Sequence, residues 1–150
     1  METEKKYLAR IPARILDGAR SKELTQGYIS TDPVIRIRRA ADEFYLTVKG
    51  GGAVTREEFE MRINEEQYAS LFEKIATNVV EKTRYYIPLN GGLTAELDVY
   101  GGNLGGLVTV EVEFDTEEAA EAFDPPEWFG EDISLVAGYK NNNLAVYGIP

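Results

Sequence analysis

Apolar and polar residues alternate at a period of two along most of this chain, which predicts short half-buried strands. The first covers residues 2–8, with Glu2, Glu4 and Lys6 on one face and Thr3, Lys5 and Tyr7 on the other. Residues 34–39 repeat the pattern, setting Ile35 and Ile37 against Arg36 and Arg38; in 44–49, Phe44, Leu46 and Val48 form the apolar face. Further strands are expected over 56–63, 81–88, 94–100 and 107–114, the last with Val108, Val110, Val112 and Phe114 alternating with Thr109, Glu111 and Glu113. Residues 9–25, with Pro12 and Gly18, are less periodic and predict a short helical or irregular connection before a short strand at 26–29.

Two helices are expected. Asn64 with Gln67 three residues on reads as a capping box for a helix running to about Val79, whose Tyr68, Leu71, Phe72, Ile75 and Val79 form a core-facing stripe. Asp115 or Thr116 caps a second helix to about Phe123, ended by Pro125-Pro126. Trp128-Phe129-Gly130 reads as an aromatic turn against the wall of the fold, and residues 139–147 as a loop feeding a short last strand. About eight short antiparallel strands with few helices suggest a barrel or a folded sheet in a mainly β, α+β domain.

The polar faces carry the unusual signal. Arg36 and Arg38, Glu58 and Glu60, Lys82 and Arg84, Glu96 and Asp98, and Glu111 and Glu113 are all like-charged pairs spaced by two. Like charges on one strand face repel, and a solvated face normally mixes its signs. Two arrangements fit. Either an open sheet exposes the charged face to water, or the sheet closes with the charged face inside. The second is tolerable only as a wet tunnel of balanced charge that takes a polyanion with its metal, because unpartnered buried charge is too costly.

Composition narrows the chemistry. The 150 residues fit one domain, 43% hydrophobic and 28% charged. There is no cysteine and no histidine, which excludes disulfides, thiolate and imidazole metal sites and the Ser-His-Asp triad. Any metal must take oxygen ligands. The net charge of -10 argues against general nucleic-acid binding. No apolar run is long enough for a membrane span and no signal-peptide pattern is present, so a soluble cytoplasmic protein, bacterial in character, is expected. Gly50-Gly51-Gly52 lacks the context of a P-loop.

Glu2-Thr3-Glu4-Lys5-Lys6 resembles the E-x-E-x-K signature that opens the CYTH family, the triphosphate tunnel metalloenzymes. The resemblance continues in order. Val34 to Arg38 resembles the family's R-x-R strand, Thr47 to Gly50 its lysine strand, and Arg56-Glu57-Glu58-Phe59-Glu60 its R-x-E-x-E strand. Lys82-Thr83-Arg84 is similar to its K-x-R strand. Glu96-Leu97-Asp98 and Glu111-Val112-Glu113 resemble its late acidic strands, and Tyr139-Lys140-Asn141 its closing Y-x-N segment. Val136-Ala137-Gly138 departs from the charged residues often found before that segment.

The resemblance implies one tunnel domain over residues 1–150, a closed antiparallel barrel of roughly eight strands with a charged interior and a few flanking helices. It implies a metal-dependent hydrolase of triphosphates, most simply of inorganic tripolyphosphate to pyrophosphate and phosphate. Adenylyl cyclase, thiamine triphosphatase (with Trp128 stacking on a ring) and a non-catalytic polyphosphate binder are the alternatives. Lys6, Arg36, Arg38, Lys49, Arg56, Lys82, Arg84 and Lys140 would bind phosphate. Glu2, Glu4, Glu58, Glu60, Glu96, Asp98, Glu111 and Glu113 would hold Mg²⁺ or Mn²⁺ or orient the cations. Lys6, Glu2 and Glu4 are the catalytic candidates. Because neighbouring Glu2 and Glu4 should raise its pKa, Lys6 reads as a phosphate ligand, with water activation on a metal held by Glu2 and Glu4. Expected partners are a small polyanionic substrate, with no nucleic acid and no membrane, and the chain is expected as a monomer or a homodimer.

Overall fold

A computed structural model describes residues 1–11, 14–52 and 54–150. Among these are ten strands: β1 (Glu2–Ala9), β2 (Arg20–Thr31), β3 (Val34–Ala40), β4 (Glu43–Lys49), β5 (Thr55–Arg56), β6 (Glu58–Ile63), β7 (Val80–Pro88), β8 (Thr94–Tyr100), β9 (Val108–Glu113) and β10 (Phe129–Asp132). They form one antiparallel sheet in the order β10-β1-β9-β8-β7-β2-β3-β4-β6, with β5 added on β1. β5 and β6 are separated only by Glu57. One pairs with β1 through Glu2 and Arg56, the other with β4, so the sheet curls into a nearly closed barrel.

The register decides between the two arrangements left open by the alternation. Directly opposed residues of an antiparallel pair share a face. Lys6 faces Glu111, Glu111 faces Glu96, Arg84 faces Asp98, Arg36 faces Thr47, and Lys49 faces Glu58. The like-charged pairs therefore line one common face, and it is the inside. On the outside, Tyr7, Leu97, Val110 and Val112 are buried with Phe114 and Phe129 under α2 (Glu117–Ala122), which Thr116 caps.

The barrel is as expected, with ten strands among the described residues where about eight are predicted, a minor difference. Several expectations need correction. β2 begins at Arg20, inside the stretch expected to be irregular, and residues 12 and 13 of that stretch lie outside the described residues. Its interior positions include Lys22 and the wholly buried Gln26, so apolar alternation could not reveal it. Helix α1 (Glu65–Phe72) keeps its capping box but stops at Phe72, and none of its residues is buried. The closing segment is not a strand: Asn141–Tyr147 is a helix, α3, that buries Leu144 and Ala145 beside Tyr28, Val80 and Tyr100. Trp128 packs on the outer wall, its ring 4.5 Å from that of Phe129, but Phe129 opens β10. Among the described residues no helix is long and apolar enough to cross a membrane.

Candidate active site

The barrel encloses a cavity of about 370 Å³. Its wall is built by strand parity, which delivers every second side chain of β1, β3, β6, β7, β8 and β9 to the same space. Glu2, Glu4, Glu58, Glu60, Glu96, Glu111 and Glu113 line it, as do Lys6, Arg36, Arg38, Lys49, Arg56, Arg84 and Lys140. All the candidates drawn from the sequence are thus brought together except Lys82 and Asp98.

Those two form a wholly buried layer behind the cavity. Asp98 accepts from Arg84 Nε at 2.8 Å and Nη2 at 2.9 Å. Lys82 Nζ lies 2.7 Å from the same carboxylate, at an angle outside hydrogen-bond range, so that contact is ionic. Asp98 is engaged by two cations, and neither it nor Lys82 reaches the cavity as the sequence pattern suggested. Arg84 is left with one face on Asp98 and its Nη1 3.4 Å from Glu96.

Around the cavity the charges are only partly compensated. Glu2 and Glu111 are satisfied carboxylates: against the upward push of burial, Lys49 at 3.1 Å and Arg56 at 3.6 Å lower the pKa of Glu2, and Lys6, Arg84 and Lys82 lower that of Glu111. Glu4 is not. Burial, with Glu111 and Glu2 nearby, pushes its pKa up to about 8. Glu58, Glu96 and Glu113 are raised in the same direction, by burial and then by neighbouring charges. The cationic wall has the complementary deficit. Burial and then repulsion from Arg36 and Arg84 lower the pKa of Arg38, whose Nε donates to Gln26 at 2.8 Å. Arg36 Nη2 donates to Thr47 at 3.1 Å, but its buried Nε has no partner among the described residues. Glu4, Glu58, Glu96 and Glu113 are short of a cation, and Arg36 and Arg38 are short of an anion.

Lys6 sits between the two. Its Nζ donates to the Tyr139 carbonyl at 2.5 Å and lies 3.9 Å from Glu111. Its acidic neighbours push its pKa up, as the sequence argument has it, but burial outweighs Glu111, Asp98 and Glu4 and lowers it.

The donor set fits a hard divalent cation. All candidate ligands are carboxylate oxygens, and Glu4 faces Glu113 across β1 and β9 while Glu96 faces Glu111. No group of three or more carboxylates among the described residues is arranged to hold an ion unaided. That matches an ion bound through one or two carboxylates, with the rest of its shell from substrate and water.

Glu4 gives a direct test of this deficit. A carboxyl ordinarily near 4.5 and raised to about 8 keeps a proton that the unfolded chain has released. Stability without divalent cations should therefore fall as pH rises across that interval, and Glu4→Gln should flatten the fall. Urea midpoints of both proteins in EDTA, at about pH 5 and about pH 8, check it.

The chain is 41% identical over 149 residues to an inorganic triphosphatase of Nitrosomonas europaea, with 97% of each chain covered. It is 36% identical over 123 residues to an inorganic triphosphatase of Acetivibrio thermocellus, covering 79% of this chain and 77% of that one. This chain belongs to the inorganic triphosphatases. A crystal structure of an inorganic triphosphatase superposes with a TM-score of 0.72 at 37% identity, covering 100% of this chain and 97% of the other. A Hippeastrum candidate adenylyl cyclase, described as having a dominant triphosphatase activity, shares the fold at a TM-score of 0.59 and 15% identity, over 81% of this chain and 83% of its own. No family model matches the chain.

The triphosphatase cavity also contains side chains that charge patterning passed over. Tyr28 faces Arg36 across β2 and β3, and its hydroxyl accepts from Gln26 Nε2 at 3.0 Å. Ser134 accepts from the Lys6 backbone N–H at 2.9 Å and so fixes the strand that carries Lys6. Asn141, the last residue of the Y-x-N resemblance, accepts from the Tyr100 hydroxyl at 2.9 Å. The only available signal for Tyr28 was its spacing of two from Gln26. Ser134 had none.

Proposed function

We propose that this inorganic triphosphatase is a CYTH-type tunnel enzyme that hydrolyses tripolyphosphate to pyrophosphate and phosphate with Mg²⁺ or Mn²⁺. The observation that carries the reading is the divided charge of the barrel interior. Arg36, Arg38, Arg84 and Lys49 would hold phosphate oxygens, the guanidinium groups as two-pronged donors and Lys49 as a point charge. Arg56 and Lys140 close the rim, where Lys140 Nζ donates to the Gly52 carbonyl at 3.3 Å. One or two of Glu2, Glu4, Glu111 and Glu113 would hold the cation, with Glu58, Glu60 and Glu96 on the flanking wall. A divalent ion there would neutralise phosphate charge and supply a water more acidic than bulk water.

The residues around it do the positioning on which phosphoryl transfer chiefly depends. Lys6 would donate to the oxygen nearest the acidic wall, and its lowered pKa suits it to give or take a proton there. Glu60, bound to Thr47 at 2.9 Å and 3.6 Å from Arg36, would keep that guanidinium aimed inward. The apolar lining consists of Tyr28, Val34 and Ile133, which offers little surface to a nucleobase or a thiamine ring. Trp128 packs outside the barrel and gives no support to thiamine triphosphate as substrate.

The test is phosphate release from tripolyphosphate and from ATP, each with Mg²⁺, Mn²⁺ or EDTA. Strong metal-dependent release from tripolyphosphate, with little from ATP, is expected. Pyrophosphate and cyclic AMP from ATP would replace the reading with a cyclase. Binding of tripolyphosphate without turnover of either compound would leave only a polyanion carrier.

A further inference from the structure

Gln26 is wholly buried on β2, directly opposite Arg38 of β3, and does not line the cavity. Burying an amide is costly unless its polar atoms are paired, and an apolar residue of similar size would fill the place without that cost. The amide is paired with two residues that do line the cavity. Its Oε1 accepts from Arg38 Nε at 2.8 Å, and its Nε2 donates to the Tyr28 hydroxyl at 3.0 Å.

These two bonds fix each other's direction. An arginine side chain has donors only, so the amide oxygen must face Arg38 and the amide nitrogen must face Tyr28. The Tyr28 oxygen is then an acceptor, and its own proton has to point elsewhere. That hydroxyl has no second hydrogen-bond partner among the described residues, so its proton is presented to the cavity. Arg38 is treated likewise. Its Nε is taken by Gln26, it has no other hydrogen bond or ion pair among the described residues, and its two terminal nitrogens are left for the cavity.

The contrast with Arg84 shows why the partner is an amide. Asp98 holds Arg84 through Nε and Nη2, and its carboxylate compensates the charge as it sets the direction. Gln26 holds Arg38 through the same Nε with a neutral group, so that guanidinium is aimed without being neutralised.

On the reading that this cavity takes a polyphosphate, we infer that Gln26 is a positioning residue for the substrate. Without touching it, the amide turns Arg38 and Tyr28 into a set of donors facing the phosphate oxygens and leaves the Arg38 charge free to meet them.

Gln26→Glu tests this with a side chain of the same size. Its carboxylate, held ionised beside Arg38, keeps the bond to Nε. It also neutralises the guanidinium and, having no N–H, draws the Tyr28 proton away from the cavity. With tripolyphosphate and Mg²⁺, kcat/KM is expected to fall by about tenfold or more, chiefly through a rise in KM. Gln26→Met, which removes both bonds and adds no charge, should lie between the parent and Gln26→Glu. Tyr28→Phe separates aim from structure. In the parent it removes a donor and should lower kcat/KM severalfold. In Gln26→Glu that donor is already turned away, so adding Tyr28→Phe should cost little. Thermal unfolding shows that each variant is folded. Gln26→Glu or Gln26→Met with kcat/KM within about twofold of the parent would overturn the inference. So would an equal cost of Tyr28→Phe in both backgrounds, because a residue that only fills the wall leaves the two effects additive. A parent that neither binds nor hydrolyses tripolyphosphate would overturn the reading of the site, and the inference with it; that failure shows in the parent, whereas failure of the inference alone shows only in the variants.

Discussion

Replacing Asp98 with alanine is expected to cost about 3–5 kcal/mol of stability, the range for breaking one side of a buried ion pair. Asp98 is wholly buried, and it is the counter-ion of the wholly buried Lys82 and of Arg84, which reaches water only through the cavity. Its removal leaves Lys82 and Arg84 in a low-dielectric wall, repelling each other. At this chain length the loss corresponds to a fall in melting temperature of roughly 6–20 °C. Asp98→Asn, which keeps the shape and one acceptor, should fall between the two. Thermal unfolding of the three proteins checks the prediction, and an alanine variant melting within a degree or two of the parent would sink it. The substitution should also lower turnover beyond what stability explains. Asp98 holds two of the guanidinium nitrogens of Arg84, and without it the fork that faces the cavity loses its aim.

The same layer marks where the sequence could be read and where it could not. A charge spaced by two from its like identifies a strand face, and the register places every such pair on the inside of the barrel. Depth along the strand is another matter. Lys82 and Arg84 look alike in the chain, as do Glu96 and Asp98, yet Arg84 and Glu96 reach the cavity while Lys82 and Asp98 lie behind it. Parity fixes the face. Only the shape of the closed sheet fixes whether a side chain ends in open space or against another side chain. The net direction of the Lys6 shift lies beyond the sequence for a related reason. Its neighbours Glu2 and Glu4 are visible in the sequence, whereas the burial that outweighs Glu111, Asp98 and Glu4 is a property of the folded barrel.

The C-terminal part of the chain was least legible. Strand β10 and helix α3 are short, and neither has the length over which a period of two or of 3.6 becomes distinct. In α3 the buried pair Leu144 and Ala145 is adjacent, as suits a helix edge, where a strand would have set one of them outward. These segments nevertheless close the site. Ser134 follows β10 and fixes the Lys6 backbone, while the Tyr139 carbonyl just before α3 receives the Lys6 side chain. They could be placed only by way of the residue they serve.

Lys6→Gln is accordingly the substitution with the largest expected effect on turnover. Lys6 is buried at the boundary between carboxylates and guanidinium groups, with one hydrogen bond to the Tyr139 carbonyl and Glu111 at 3.9 Å. Glutamine can still donate to Tyr139 but carries no charge to meet the charge on a departing or attacked phosphoryl oxygen. Loss of one such preorganised donor lowers kcat by about 10²–10³-fold. A donor that acts in the transition state lowers kcat and kcat/KM together, and that is the pattern expected here. Glu111 keeps Arg84 and Lys82 among its nearby cations, so the variant should remain folded; thermal unfolding serves as the control. Lys6→Arg should not rescue activity, because a planar fork cannot occupy the place of a compact ammonium between Tyr139 and Glu111. The pH profile separates this role from a purely structural one. If the buried amine with its lowered pKa exchanges a proton with substrate, a limb of the wild-type profile belongs to it and disappears in Lys6→Gln. A Lys6→Gln enzyme with near-normal kcat would remove the residue from turnover and leave the work to the carboxylates and the ion they hold.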